Sequence, residues 1–188
     1  LTRRYWFPKP YADTVARLRV PSGFLLIAVF VWLARPSLDS LLWGLPVSAA
    51  GLLLRGWAAG HLAKNQRLVN TGPYAHLRNP LYLGTLLVAA GLVIASREWL
   101  LAAIFGAVFL FIYLPVIELE EQHLRDLFPE FERYAAEVGL LAPRLTPVAR
   151  GRFQWALYRK NEEYQALLGF LAGVAVLVVK ALGLVPRG

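Results

Sequence analysis

Five apolar runs separated by short polar breaks leave this chain few ways to fold. They lie at about Pro21 to Ala34, Leu41 to Ala63, Pro80 to Ser96, Trp99 to Ile117 and Tyr164 to Leu182. About 20 apolar residues suffice to cross a bilayer as a helix, the form that satisfies its own backbone hydrogen bonds in lipid. The first run is short for that length, and Leu18 and Val20 can extend it. The pattern predicts an all-α, polytopic helical membrane protein with about five transmembrane helices, in one domain over residues 1–183. Charged residues are only 17% of the chain, against roughly 25% in soluble domains, and the mean hydropathy is +0.49.

The breaks set connections and orientation. Arg35 to Ser40 reads as a tight turn, with Ser40 or Asp39 as cap of the second helix. Pro46 is expected to kink that helix, and Gly56 and Gly60 form a small-xxx-small pair for close packing. Ser96-Arg97-Glu98 is so short that the third and fourth spans must be antiparallel neighbours. Loops on one side carry fifteen Lys and Arg; the other side carries Arg35, Arg97 and Lys180. The positive-inside bias then predicts a cytoplasmic N-terminus and an outward C-terminus. Arg55 sits within the second span; a functional role and simple snorkelling to the interface both remain open. Residues 1–19, with Arg3, Arg4, Lys9, Arg17 and Arg19 among aromatic rings, read as a basic interfacial segment. Residues 149–163 read as an interfacial helix, followed by the last span at 164–182, whose Gly169 and Gly173 leave a face open to homodimerisation.

Several function classes drop out. With no Cys, disulfides, thiolate catalysis and Cys-based metal sites are excluded. His61, His76 and His123 show no ligand spacing, so no metal site is expected. The formal charge of +8 is better explained by anionic lipid than by nucleic acid, for which no reading motif is present. The chain starts at Leu1 without any Met, so its natural start is expected to be missing. Leu184 to Gly188 reads as the remnant of a cleaved tag.

Two stretches carry the chemistry. In Leu68 to Gly84, Gly72-Pro73 and Asn79-Pro80 break helix on either side of Tyr74, so the backbone between them must be irregular. Pro80 suits the first turn of the helix that follows. Irregular backbone beside a membrane helix persists where protein covers it or a polar cavity uses it, and a cofactor pocket is expected here. The second stretch is acidic: Glu118 to Glu163 holds nine of the twelve acids, with Glu118, Glu120 and Glu121 leaving the bilayer at the end of the fourth helix. Acids there oppose the helix dipole, which calls for cations or donors nearby; Arg78, Arg144 and a cationic cofactor are candidates. Glu118 alone reads as a solvated helix end, and Tyr74 and Tyr82 would also suit an interfacial aromatic belt. Both stretches fall on the cytoplasmic side.

Leu68-Val69, Gly72-Pro73-Tyr74, Arg78-Asn79-Pro80, Tyr82 and Gly84, followed by Glu120-Glu121, Leu124, Phe128, Tyr134 and Pro143-Arg144-Leu145, resemble the isoprenylcysteine carboxyl methyltransferase and phospholipid methyltransferase superfamily. The match covers residues 66–147. The resemblance implies an integral-membrane enzyme using S-adenosylmethionine and a lipophilic small-molecule, membrane-lipid or prenylated acceptor. It implies a cofactor site of Gln66, Arg67, Leu68, Val69, Tyr74, Asn79, Pro80, Leu81, Tyr82 and Glu120. Arg78 would hold the cofactor carboxylate or orient the acceptor, and Glu120 or Glu121 would take a proton from an amine acceptor; Arg144 would support them. Two positions depart from the pattern. Asn79 stands where the family usually has His, and Asn takes no proton at neutral pH. Val116 stands where the prenylcysteine enzymes have Arg. A reductase of the sterol-reductase type using NADPH, and a helical membrane protein without enzymatic activity, are the competing readings.

Overall fold

The computed structural model describes residues 6–184. Arg3, Arg4 and Tyr5 of the basic segment, and all but Leu184 of the suspected tag remnant, lie outside these residues. Among the described residues the secondary structure is helical, with no strand. Four helices are long and apolar enough to cross a membrane: Lys9–Leu33, Leu38–Ala59, Trp99–Leu127 and Tyr164–Ala181. The third expected span, Pro80–Ser96, is apolar but shorter, at 17 residues.

Helix α1 spans Lys9–Leu33, so it starts well before the expected Pro21. Pro10 fits its first turn, where a missing N–H costs nothing. The free N–H groups of Trp6 and Phe7 just before it donate to the Glu118 carboxylate, at 2.6 and 3.1 Å. Glu118 is therefore not the solvated acid of the sequence reading. It ties the entry of α1 to α5 and places a negative charge at the positive end of α1.

Helix α2, Leu38–Ala59, is capped by Ser37, two or three residues before the expected Asp39 or Ser40. Ser37 and Ser40 form a reciprocal capping box, and Ser40 Oγ also donates to Ala95 O at 2.8 Å. Helix α3, Pro80–Ser96, runs antiparallel to α2, and the two backbones nearly touch. A Cβ added to Gly44 would lie 2.3 Å from Gly91 O, and one added to Gly51 would lie 2.5 Å from Gly84 O. Ser48 Oγ donates to Val88 O across the same seam. Small residues of this kind drive close packing in membranes. The seam uses Gly44, Ser48 and Gly51, not the expected Gly56 and Gly60, which face Tyr158 and Phe153. Gly169 and Gly173 have open space beside them.

Arg97 ends α3 in the left-handed conformation (φ 57°), and Glu98 caps α4, Trp99–Val108. A π-helical turn, Phe109–Tyr113, joins α4 to α5, Leu114–Leu127. Pro115 has no N–H to give the carbonyl of Phe111, four residues back. Tyr11 of α1 fills that vacancy: its hydroxyl donates to Phe111 O at 2.5 Å. Neighbouring helices re-satisfy proline-freed carbonyls in lipid in this manner. The short α6, Phe131–Glu137, buries Phe131 and Tyr134. The expected interfacial helix over 149–163 is helical only as α7, Trp155–Lys160. Residues 149–154 instead lie extended over the end of α2, where Gln154 N–H donates to Gly60 O. Asn161 Nδ2 donates to Ala59 O and Leu62 O, both at 2.9 Å, closing the last carbonyl of α2 and tying down the turn beyond it. Helix α8, Tyr164–Ala181, follows; Lys180 Nζ pins its far end to Val31 O at 2.7 Å.

Candidate functional site

The irregular stretch folds into a 3-10 turn at Gly72–Ala75, entered through Gly72 at φ 60°. A Cβ on Gly72 would strike the His61 ring, so both the backbone conformation and the space require glycine there. The stretch is then stitched to the segment after α6. Arg78 N–H donates to Gly139 O, Asn79 N–H to Leu140 O, Arg144 N–H to His76 O and Val148 N–H to Ala75 O, at 2.9–3.2 Å. Tyr134 Oη adds a buried bond to Tyr74 O at 2.7 Å. Two motifs some 60 residues apart in sequence are thus one structural unit.

They wall a single cavity of about 820 Å³ at the polar end of the helices. That lies within the range of roughly 300–1,000 Å³ usual for small-molecule sites. Leu68, Val69, Leu81 and Leu119 give it apolar surface, and Tyr74, Tyr82, Tyr113 and Tyr134 give it rings. Arg19, Arg55, Lys64, Arg67, Arg78, Glu120 and Glu121 supply charge. Of the expected site residues, Arg67, Leu68, Val69, Tyr74, Arg78, Asn79, Pro80, Leu81, Tyr82, Glu120 and Glu121 all line it.

Gln66 does not line it. It ends a tight turn closed by Gln66 N–H to Ala63 O, with Asn65 left-handed at φ 58°, and it is exposed. Arg144 also lies outside the cavity; it donates to Glu137 O, and its own carbonyl pairs with His76 Nδ1 at 2.8 Å.

Arg78 and Glu121 form a buried clamp. The guanidinium meets the carboxylate through Nε at 2.7 Å and Nη2 at 3.3 Å. Its Nη1 donates to Ala135 O and Val138 O, carbonyls at the end of α6. Four of its five N–H groups are committed, so Arg78 is a brace between α3, α5 and α6 with little left to grip a cofactor carboxylate. Glu121 also accepts from Asn79 Nδ2 at 3.1 Å and has Arg125 at 4.0 Å. Both of its oxygens are thus engaged by protein donors. Asn79 holds Glu121 by donating, which needs no titration.

Glu120 is different. It lines the cavity half-exposed, and its ion pair is long: Arg19 Nη1 lies 3.5 Å away and is also 3.4 Å from Tyr82 Oη. Tyr74 is nine-tenths buried. Burial raises its phenol far above the usual value, helped by nearby Tyr134 and Glu120, so it stays neutral and able to donate. Burial does the same to Tyr134.

Arg55 pairs with Glu163 through Nε at 2.6 Å and Nη2 at 3.0 Å, and its Nη1 donates to Thr85 Oγ1 at 2.6 Å. It does not snorkel; it locks α2 to α3 and to the start of α8. Sequence reasoning missed Arg19 and Tyr113 as lining residues. Arg19 carries a signal, an arginine near the start of an apolar run, although the segment 1–19 reads as interfacial. Tyr113 carried none. Among the described residues no group of three or more His, Asp or Glu side chains is placed to hold a metal ion.

Residues 18–130 match the phospholipid methyltransferase family. The chain is 32% identical over 129 residues to the cobalt-zinc-cadmium resistance protein CzcN of Cupriavidus metallidurans, covering 68% of this chain and 58% of that protein. It is 33% identical over 117 residues to the nickel-cobalt-cadmium resistance protein NccN of Alcaligenes xylosoxydans xylosoxydans, covering 61% and 54%. It is 26% identical over 136 residues to the protein-S-isoprenylcysteine O-methyltransferase of Schizosaccharomyces pombe, covering 69% and 57%. The chain thus spans little more than half the length of these relatives. No solved structure matches it.

Proposed function

Since the chain belongs to the phospholipid methyltransferase family, we propose that it moves the methyl group of S-adenosylmethionine to a lipophilic acceptor inside the cavity described above. The observation that carries this is that Tyr74 and Glu120, from the two distant motifs, line the same cavity. The lining suits such a cofactor. Glu120 is a loosely paired carboxylate for an ammonium, Lys64 and Arg67 are exposed cations for a carboxylate, and Tyr74 and Tyr82 offer rings beside an apolar slot for adenine.

When bound, S-adenosylmethionine supplies an electrophilic methyl group on a sulfonium. The chain's residues then have two tasks, alignment and exclusion of water. Leu68, Val69 and Tyr74 close the dry side, and the Arg78–Glu121–Asn79 clamp fixes the start of α3 so that Leu81 and Tyr82 hold their places. A carboxylate acceptor needs no base. For an amine acceptor Glu120 is the better-placed carboxylate to take the proton, because the oxygens of Glu121 are engaged.

The charge bias of the loops supports a cytoplasmic position for the cavity. The sequence has no Cys, so single Ser37→Cys and Lys64→Cys variants should label from opposite sides of a sealed vesicle; labelling from one side would overturn that orientation. Titration calorimetry of the purified protein tests the main reading. S-adenosylmethionine and S-adenosylhomocysteine should bind and NADPH should not. NADPH binding alone, or silence to all three, would overturn it.

A further inference from the structure

Of the four arginines that line the cavity, two are tightly held. Arg55 and Arg78 each hold a carboxylate through two nitrogens and spend a third on other oxygens. Arg19 is not occupied in this way. It lies roughly three turns into α1, where the basic segment meets the apolar run that follows. Among the described residues its guanidinium uses a single nitrogen, Nη1, in two stretched contacts, to Tyr82 Oη at 3.4 Å and Glu120 Oε1 at 3.5 Å. Its side chain is 41% exposed and opens on the cavity beside Ala16, Tyr113 and Val116.

Glu120 is also the carboxylate best placed for the cofactor's ammonium. Once that ammonium takes Glu120, Arg19 loses its anionic partner and is left facing a largely apolar wall. A neutral acceptor would leave the cation uncompensated, whereas an anionic one would fill the gap. We propose that Arg19 is the acceptor-binding residue for an anionic oxygen, carboxylate or phosphate, on a long-chain amphiphile, and that cofactor and acceptor bind cooperatively because they divide the Arg19–Glu120 pair between them. This rests on the methyl-transfer reading. Each ligand removes the competitor of the other, so the coupling is reciprocal.

The full chain in phosphatidylcholine nanodiscs, titrated with S-adenosylhomocysteine, tests the proposal without turnover. That product keeps the ammonium and has no net charge, so a change in surface potential alone should not alter its binding. Adding dodecanoate or dodecyl phosphate should tighten its binding at least about fivefold, the lower end of common coupling strengths; dodecanol should not. Whichever of the two anions gives the larger effect identifies the acceptor headgroup. In Arg19→Gln the enhancement should vanish while the product alone binds more tightly than to the wild type. Arg19→Lys should restore part of the enhancement, and an unchanged thermal midpoint would show that both variants are folded. Enhancement by dodecanol, no enhancement by either anion, or enhancement that survives Arg19→Gln would each overturn the proposal. Failure of the product to bind the wild type at all would instead remove the methyl-transfer reading beneath it.

Discussion

Glu120 and Glu121 are neighbours on α5 and could hardly be treated more differently. Glu121 is buried and accepts three hydrogen bonds from Arg78 and Asn79. Glu120 is half-exposed, with one arginine at the edge of contact. A step of one residue turns a helix by about 100°, so both acids border the cavity but only Glu121 turns toward the Arg78 brace against α6. One part of the lining is built to stay, and the neighbouring part is built to exchange partners. A pair of adjacent acids in a sequence therefore need not mean a pair of catalytic carboxylates.

The largest effect that would sharpen this contrast is expected from Glu121→Ala. Removing one partner of a buried pair leaves Arg78 uncompensated and should destabilise the protein by about 3–5 kcal/mol. A thermal unfolding curve in detergent would show it, and a near-wild-type midpoint would break the contrast. Next comes Glu120→Gln, which should leave the midpoint unchanged yet weaken S-adenosylhomocysteine binding by at least tenfold, since a hydrogen bond to a charged group is worth about 1.5–3 kcal/mol. Equal affinity in calorimetry would remove Glu120 from the site. Tyr134→Phe removes one buried bond between the motifs and should cost about 1 kcal/mol, read from the same unfolding curves.

The smallest effect concerns pH. Burial holds the Tyr74 and Tyr134 phenols protonated well above their ordinary value of 10.0. The folded state then keeps protons that the unfolded state releases. Their contribution to stability is complete below pH 10 and is lost as pH rises beyond it. Ultraviolet titration should find these phenols un-ionised until the fold opens; ionisation near pH 10 in intact protein would contradict their burial.

Much of this was legible in the sequence. Gly72-Pro73 and Asn79-Pro80 forced the irregular turn, Pro80 began α3 where expected, and the motif pair pointed to one shared cavity. Local rules govern those features, and local rules are what a sequence displays. The misses were long-range. Nothing near Arg19 shows that α1 leans on α5, because that contact depends on Glu118 and Pro115 about a hundred residues away. Nothing near Arg78 shows that α6 ends against it and consumes its donors. Gly44 and Gly51 match Gly91 and Gly84 only once α2 and α3 are set antiparallel in register. The start of α1 was missed for another reason: aromatic and basic residues suit an interface equally well as a loop or as a helix.

The Tyr11 hydroxyl on Phe111 O binds α1 to the proline-loosened turn behind it, while glycine-to-glycine contact welds α2 to α3. The cavity sits between these two jaws. Arg19 of one jaw and Tyr82 of the other meet across their parting line, through a single stretched contact of 3.4 Å. If the proposed methyl transfer holds, a hydrocarbon tail would enter along that line and meet the guanidinium first.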